Sequence, residues 1–432
     1  MIKKGLYNIP NNWCWSRLGK ITSVIGGGTP SSKISEYYDN GNIAWITPSD
    51  LSNYNNIYIS KGKKMITELG LMKSSAKLLP KGTVCLSSRA PIGYVAIAEN
   101  ELCTNQGFKS FLPSELYEPE YLYWYLKSIK HILEAKASGT TFLELSAKKA
   151  GEVEIPLPPI NEQQRIVNII ESLFVKLNRA KELIENTLAQ FEQNKMAILH
   201  KAFTGELTAK WRKENNIDLS SWEKIKLGKV LLPMQTKKPT GQFFRYIDID
   251  AIDNKRQIVK APKLILTEKA PSRASRGVET GNILFSMVRP YLKNIAQIDS
   301  DLSDCIASTG FYVCRCKPEL NSRFLYYLFI FDKTIDYLMQ FMKGDNSPSI
   351  RKDDLLNMKI DLPTIEEQQE IVNILDNLLA KYNKIKNLEQ QLEKIELLKK
   401  AILAKAFRGE LGTNNPDEES AENLLKEILA EK

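Results

Sequence analysis

The feature that most constrains this sequence is an internal repeat. Residues 155–167 read IPLPPINEQQRIV, and residues 360–372 read IDLPTIEEQQEIV. Later in each half, residues 197–207 read AILHKAFTGEL, and residues 401–411 read AILAKAFRGEL. The displacements are 205 and 204 residues, and chance does not produce matches of this length in the same order. The chain is therefore two halves, each with a variable segment followed by a similar one.

The similar segments predict two long helices. Between Ile160 and about Lys201 there is neither proline nor glycine, and apolar residues recur at steps of three and four. This spacing is the a/d pattern of a coiled coil. The second half repeats the pattern from Ile371 to Ile402.

Local signals predict where these helices begin and end. Thr364 and Glu367 have the spacing of a capping box at the start of the second helix. Gly205 and Gly409 are placed to end the two helices. A helix of about 40 residues is about 60 Å long.

Each helix needs a partner for its apolar stripe, and the other helix of the chain is the economical choice. The connector Thr208–Ser220 has 13 residues, which span at most about 45 Å. A parallel pair would require a longer return, so the sequence predicts an antiparallel coiled coil. The two variable domains would then lie at opposite ends, related by a pseudo-twofold axis. The alternative is that each stripe packs on its own globular domain.

The variable segments predict an α+β fold. Residues 20–115 and 225–320 contain short β patterns interrupted by Gly, Pro, Asn and Ser, and helices are predicted for Glu120–Ala137 and Ser322–Met342. The predicted architecture is two α/β domains separated by the two long helices. The corresponding segments are 1–154 and 213–358 for the domains, 155–212 and 359–412 for the helical regions, and 413–432 for a tail helix.

Composition narrows the class of protein. The formal net charge of +9 and the pI of about 9.0 favour a polyanionic partner, although only weakly. No stretch approaches the apolar length of a membrane span, and the N-terminus lacks the apolar core of a secretory signal. The six cysteines are scattered, which favours a cytoplasmic chain with reduced thiols. Only two histidines are present, so a histidine-based zinc site or a Ser-His-Asp triad is not expected.

Basic and amide side chains in the variable domains are candidates for contact with nucleic acid. Arg, Asn and Gln can read base edges, while Ser, Thr and Lys can hold phosphates; the alternative for each is solvated surface. Arg89 and Arg289 stand out because they follow apolar strands at matching places of the two halves. The candidates are Lys33, Ser88, Arg89, Asn105, Gln106, Lys109 and Thr140 in the first domain and Lys237, Lys238, Arg273, Arg276, Arg289, Lys293, Asn346 and Arg351 in the second.

Several motifs together resemble one known family. They are GGGTPSS (26–32), GNIAWITPSDL (41–51), LPKGTVCLSSRAPIGYVAIA (79–98), TNQGFKSF (104–111) and the two copies of the LPP/EEQ-to-AFxGEL layout. Over essentially its whole length, the chain resembles the specificity subunit of type I restriction-modification systems. The second domain lacks the GGTP and NQG motifs, so its loops are matched to those of the family less directly.

The resemblance implies a division of labour. Each variable region would be a target recognition domain that reads one half of a split site in double-stranded DNA. The long helices would dock two modification subunits, which methylate adenine N6 with S-adenosylmethionine. Restriction subunits would add cleavage driven by ATP with Mg²⁺. This chain would itself be non-catalytic, without cofactor, metal or membrane contact.

The sequence also bears on the alternatives. The Asn/Asp-Pro-Pro-aromatic tetrapeptide of adenine methyltransferases and the GxxxxGK[ST] nucleotide motif are absent, which argues against an enzyme with a disguised active site. A coiled-coil scaffold without DNA function, or an inactive or phase-variable homologue, remains the competing hypothesis.

Overall fold

The computed structural model describes residues 6–139, 143–383 and 386–430. The chain divides into two compact units: unit 1 comprises residues 1–183 and 390–432, and unit 2 comprises residues 184–389. Both long helical regions therefore contribute residues to both units. The five segments proposed from the sequence follow a different division, and their boundaries stay a prediction.

The helices agree closely with the repeat. The first long helix, predicted from Ile160 to about Lys201, is confirmed as Ile160–Phe203. The helices in chain order are α1 Leu18–Ile21, α2 Glu68–Met72, α3 Pro119–Ser128, α4 Lys130–Lys136, α5 Ala147–Gly151, α6 Ile160–Phe203, α7 Ala209–Glu214, α8 Ser322–Ile330, α9 Asp332–Met339, α10 Lys352–Leu356, α11 Ile365–Asn383, α12 Lys386–Ala406 and α13 Ala421–Ala430.

The predicted ends of the long helices are confirmed, but the capping box is only half formed. Gly205 and Gly409 adopt φ of +79° and +74°, the left-handed conformation that glycine adopts without strain after a helix. Thr364 Oγ1 accepts from the backbone N–H of Glu367 at 3.4 Å. The Glu367 carboxylate is instead buried in tertiary hydrogen bonds, so the reciprocal half of the box does not form.

Each helix predicted within a variable domain is divided into two. The backbone leaves the helical region at Ile129 in the first domain and at Phe331 in the second. Neither is a helix breaker by type, and both are almost completely buried. The Phe331 ring packs 5.3 Å from the Phe203 ring, centroid to centroid. Burial of these side chains in the core therefore decides where the helix turns, which helical propensity does not show.

Unit 1 is built on a five-stranded sheet in the order β2-β9-β6-β7-β4 and a three-stranded sheet in the order β5-β3-β8. In the larger sheet, α3 packs against β6 and β7, so that Tyr121, Leu122 and Tyr125 enter the core. The strands are β1 Cys14–Arg17, β2 Val24–Gly26, β3 Ile43–Ile46, β4 Tyr58–Ile59, β5 Lys64–Ile66, β6 Val84–Ser88, β7 Ile92–Ala98, β8 Cys103–Thr104, β9 Phe108–Phe111 and β10 Glu154–Leu157.

Unit 2 repeats this plan with two four-stranded sheets, ordered β12-β21-β18-β19 and β16-β13-β20-β17. The parallel pair β13 and β20 places Ile247 beside Ala307, as β3 and β8 of unit 1 place Ile46 beside Thr104. The strands are β11 Glu223–Lys226, β12 Leu231–Leu232, β13 Phe243–Ile247, β14 Ile252–Asp253, β15 Ile258–Val259, β16 Lys263–Leu266, β17 Ala274–Gly277, β18 Ile283–Ser286, β19 Ile295–Gln297, β20 Ile306–Ser308, β21 Phe311–Cys316 and β22 Lys359–Leu362.

In unit 1 the long helices run antiparallel, as predicted. Lys399 of α12 lies over the Phe174 ring of α6. Further along α6, Lys181 pairs with the earlier α12 residue Glu396 at 3.5 Å. The start of α6 also packs on its own domain, where the Phe174 and Trp124 rings lie 4.8 Å apart. The helix therefore packs both on the other long helix and on its own domain.

Unit 2 has the same arrangement with different parts of the helices. Leu199 and Ala202 near the end of α6 share a buried cluster with Ile371 and Leu375 of α11. Just beyond α6, Thr208 donates to Glu367 in the first turn of α11 at 2.6 Å. The end of one helix thus lies beside the start of the other.

Candidate nucleic-acid interface

The motifs that carry the family resemblance meet at one place in unit 1. Thr29 of the GGGTP loop donates to the Gln106 side chain of the NQG turn. Within that turn, the Asn105 carboxamide oxygen accepts from the Gly107 N–H at 2.9 Å. The Gly107 carbonyl then accepts from the backbone N–H of Ser88 at 2.7 Å. Gln106 and Thr29 are exposed, so this loop cluster presents hydrogen-bonding side chains to solvent.

Two glycines of the GGGTP loop are required by close backbone approach. A Cβ on Gly27 would overlap with the backbone of Asn105, and one on Gly28 would overlap with the backbone of Ser75 and Ala76. The Gly-rich segment is therefore required by the close packing of the backbone at this place.

A polar cluster lies directly beneath these loops. Lys109 Nζ donates to Ser88 Oγ at 3.2 Å and pairs with Glu144 Oε1 at 3.2 Å. The other carboxylate oxygen of Glu144 lies 3.8 Å from the Arg89 guanidinium. The side chains of Arg89 and Glu144 are 36% and 42% exposed, whereas that of Lys109 is 10% exposed and Ser88 is fully buried. Ser88 and Lys109 thus support the surface from below.

Glu144 was not among the residues that the sequence predicted. It lies shortly after the candidate Thr140 in the sequence, and Ser138 and Glu144 form an isolated antiparallel bridge. A carboxylate is neither a basic nor an amide group, the two types from which most candidates were predicted. The available signal was a glutamate a few residues after a polar, glycine-containing segment. Thr140 lies outside the described residues.

Unit 2 has an equivalent frame, by which we mean the same arrangement of strands and loop hydrogen bonds, formed by different residues. The backbone N–H of Met287 donates to the Gly310 carbonyl at 2.9 Å, as Ser88 does to Gly107 in unit 1. Ser308 Oγ accepts from the Gly310 N–H at 3.2 Å, in the role that Asn105 has in the first domain. The geometry of the NQG turn is therefore retained in unit 2, although the Asn-Gln-Gly residues are not.

Arg289 lies in this frame, but its counterpart is not Arg89. Arg289 and Ala90 both have positive φ, 48° and 45°, and both directly precede proline. The sequence alignment of the two arginines was thus wrong by one residue, because an arginine occurs at neighbouring positions of the same turn. The Arg289 guanidinium donates to the Asn346 carbonyl at 2.9 Å. Two residues predicted to contact DNA therefore lie together on the exposed surface.

Other candidates in unit 2 lie along the same row of loops. The backbone N–H of Lys237 donates to the Ser275 carbonyl at 3.0 Å, and the Arg273 carbonyl accepts from the Thr309 N–H at 2.9 Å. Arg276 has a buried Nε without a hydrogen-bond partner among the described residues. Burial raises the pKa of Tyr312 to about 12, and the nearby Arg276 guanidinium acts in the opposite direction.

The remaining candidates are less closely tied to these clusters. Lys293 donates to the Ile330 carbonyl at 3.0 Å and pairs with Asp332, so its charge is already partnered. Arg351 is exposed just before α10, where its backbone N–H donates to Asp354 at 2.7 Å. Lys33 and Lys238 are exposed. Contact of any of these residues with DNA stays a prediction.

The glutamate of each repeated EQ pair anchors a domain to a helix. Glu162 is fully buried and accepts from Trp13 Nε1 at 2.8 Å, Asn414 Nδ2 at 3.0 Å and Thr413 Oγ1 at 3.1 Å. Its carboxylate therefore joins three segments that are distant in sequence.

Glu367 does the same in unit 2. It accepts from Trp222 Nε1 at 2.9 Å and from Thr208 Oγ1 at 2.6 Å, and it pairs with the buried Arg212 guanidinium. The following glutamines, Gln163 and Gln368, each donate to two backbone carbonyls and accept one backbone N–H at the start of the helix. The repeated motif is therefore structural.

A cavity of about 730 Å³ in unit 1 lies apart from the loop cluster. Tyr54, Tyr58, Glu120 and Glu171 are among its lining residues. Burial raises the pKa of the Glu171 carboxyl, and the neighbouring Glu120 adds to this effect. None of the residues predicted to contact DNA is among the lining residues, so the cavity is not part of the candidate interface.

Within residues 6–139, 143–383 and 386–430, no three His, Cys, Asp or Glu side chains are grouped so that they could hold a metal ion. No helix in these ranges combines the length and the apolar character needed to cross a membrane.

The fold and the loop clusters define a duplicated recognition subunit, with one frame of strands repeated and its side chains varied. The type I restriction modification DNA specificity domain matches residues 10–190 and 222–397. The chain belongs to this family and is a DNA-recognition subunit.

Relatives match over most of their length. The specificity subunit of the type I restriction enzyme MjaIX from Methanocaldococcus jannaschii is 31% identical, covering 93% of this chain and 94% of the relative. The EcoDI specificity subunit from Escherichia coli is 27% identical, covering 73% and 77%.

Solved structures support the fold. The HsdS subunit from Thermoanaerobacter tengcongensis is 22% identical with a TM-score of 0.57, covering 94% of this chain and 99% of that one. A chain from a structure of the type I restriction-modification system is 22% identical with a TM-score of 0.69, covering 94% and 100%.

Proposed function

We propose that each unit reads one half of a bipartite, asymmetric site in double-stranded DNA. The observation that carries this proposal is the repeated frame with different side chains. Ser88 and Lys109 in unit 1 correspond to Met287 and Tyr312 in unit 2, since each pair has the same register relative to Gly107 or Gly310. Because sequence is read by side chains that contact base edges, two such surfaces favour two unlike half-sites.

The partners follow from the same proposal. The long helices dock two modification subunits, which methylate adenine N6 with S-adenosylmethionine, and restriction subunits add ATP- and Mg²⁺-dependent cleavage. The chain itself holds no cofactor or metal, catalyses no reaction and acts in the cytoplasm. In support, the repeated carboxylates Glu162 and Glu367 are occupied by structural hydrogen bonds and are not available for proton transfer.

Domain exchange tests the independence of the two units. Residues 20–150 are replaced by the corresponding residues of another family member, and the modified motif is determined by methylation-aware genome sequencing. We expect one half of the motif to change while the other half stays the same. A change in both halves would contradict independent reading.

Purified components test the division of labour. The chain incubated alone with DNA, S-adenosylmethionine, ATP and Mg²⁺ is expected to show neither methylation nor cleavage, whereas addition of the modification subunits restores methylation. Robust activity of the chain alone would overturn the non-catalytic role. Affinity for DNA is expected to fall steeply with salt, because bound phosphates release counterions; a flat dependence would favour a scaffold without DNA function or an inactive homologue.

A further inference from the structure

Glu144 is an unexpected residue at a surface that must approach phosphates. Its side chain is 42% exposed, and its carboxylate lies between two cations, Lys109 at 3.2 Å and Arg89 at 3.8 Å. A carboxylate turned toward the DNA backbone would repel it. In the major groove, however, a carboxylate can accept a hydrogen bond from an exocyclic amino group of a base.

The two oxygens of this carboxylate have different partners, one held closely and one loosely. Oε1 accepts from Lys109, whose side chain is only 10% exposed and whose ammonium also donates to Ser88. Oε2 faces the half-exposed Arg89, whose separation of 3.8 Å is that of a loose ion pair. Arg89 can therefore move to a phosphate while the Lys109 contact keeps the carboxylate in place.

The second unit lacks this polar set at the same positions. Ser349 corresponds to Glu144, because Ser138–Glu144 and Lys343–Ser349 form equivalent bridges. The next residues also correspond, since the backbone N–H groups of Leu145 and Ile350 donate to Ser88 and Met287 respectively. The set is therefore special to unit 1, although the backbone that carries it is common to both units.

We propose that Glu144 determines specificity in the half-site read by unit 1, where it accepts a hydrogen bond from the exocyclic amino group of one cytosine or adenine. Lys109 is a positioning residue that holds the carboxylate from below. This inference rests on the proposed function and adds to it the chemical group that is recognised. The corresponding Ser349 makes no charged contact of this kind, so the requirement applies to one half-site only.

The test uses the complete modification complex with Glu144→Gln, and Ser349→Ala as the matched control. The half-site of unit 1 is first assigned by the exchange of residues 20–150. Binding to duplexes that carry each base substitution in turn then measures discrimination at every position. We expect discrimination at one position of that half-site to fall about 10- to 100-fold, with the other half-site unchanged. The base required by the wild type, C or A, identifies the amino group.

Further variants separate specificity from support. Lys109→Met is expected to weaken discrimination at the same position, because the carboxylate loses its positioning cation. Glu144→Asp keeps the charge but withdraws it by one methylene, and it carries the test if Glu144→Gln does not fold. Ser349→Ala is expected to leave the unit 1 half-site unchanged.

The outcomes distinguish failure of the role of Glu144 from failure of the proposed reading of a bipartite site. Unchanged discrimination at every position in folded Glu144 variants, or an equal loss for all duplexes, would overturn the role of Glu144 alone. A wild-type complex with no bipartite motif would overturn the proposed function itself.

Discussion

The two buried glutamates of the repeat predict unequal effects of one substitution. Glu162→Gln and Glu367→Gln are the same isosteric change at equivalent positions, and both side chains are fully buried. Their surroundings differ in one respect: Glu162 accepts from neutral donors on Trp13, Thr413 and Asn414, whereas Glu367 also neutralises Arg212. We therefore expect Glu367→Gln to be the more destabilising.

The magnitude follows from the charges that remain. In unit 1 a glutamine can present its oxygen to Trp13 and its amide to the Thr413 hydroxyl, so weaker hydrogen bonds replace charge-assisted ones at a cost of about 1 kcal/mol. In unit 2 the Arg212 side chain, 8% exposed, loses its counter-charge. Removing one partner of a buried pair costs about 3–5 kcal/mol. The expected difference of at least about 2 kcal/mol is about a 30-fold difference in local opening.

Native-state hydrogen exchange with peptide resolution measures this difference, because opening of each unit is followed by its own amides. Peptides covering residues 160–170 report on unit 1, and peptides covering 365–375 report on unit 2. The double variant Glu367→Gln with Arg212→Met is expected to recover most of the loss, since it removes the unpaired charge. Equal costs in the two units, or no recovery in the double variant, would refute this reasoning.

Three further predictions concern the tail, the helix and the DNA. The Arg165 guanidinium holds the pKa of the Glu418 carboxyl below its usual value, so the ionised form stabilises the fold above about pH 4.3, and this contribution is lost as pH falls through the lowered pKa. In thermal unfolding, Glu418→Gln should lower stability by about 0.5–1 kcal/mol at pH 7, and this loss should shrink as the pH falls through the lowered pKa; a loss that does not shrink in acid would contradict the pairing. Inserting four residues into the 160–200 helix should change the spacer between half-sites by about two base pairs, since one turn is about 5.4 Å and DNA rises about 3.4 Å per base pair; an unchanged spacer in methylome sequencing argues against a ruler. Arg289→Ala should reduce the slope of log affinity against log salt by about one, and an unaltered slope would remove this residue from the phosphate contacts.

Much of the fold was predictable because its signals are local. The repeat, the 3.6-residue periodicity and the glycines at 205 and 409 depend on residues close together in sequence, and α6 matches its prediction within two residues. The divisions at Ile129 and Phe331 were not predictable. They depend on which side chain the core accepts, and this is set by elements elsewhere in the same unit.

The candidate site was predictable as a region but less so as a set of contacts. The loops carrying Arg89, Gln106 and Arg289 were identified from basic and amide side chains near turn residues. The pairing of Lys109 with Glu144 joins residues 35 positions apart. No local sequence pattern around either residue predicts this contact. Sequence alignment also paired Arg89 with Arg289, whereas backbone conformation pairs Ala90 with Arg289.

By itself, the sequence determined the duplication, the long helices, the α+β class of the variable segments and the family. Only the tertiary structure decided that Glu162 is satisfied by Trp13 and Thr413, which lie 149 and 251 residues away. The physical reason is that helical periodicity and turn chemistry act over a few residues. A buried carboxylate must instead be satisfied by whichever donors the folded chain brings to it, and those donors are fixed by the path of the whole chain.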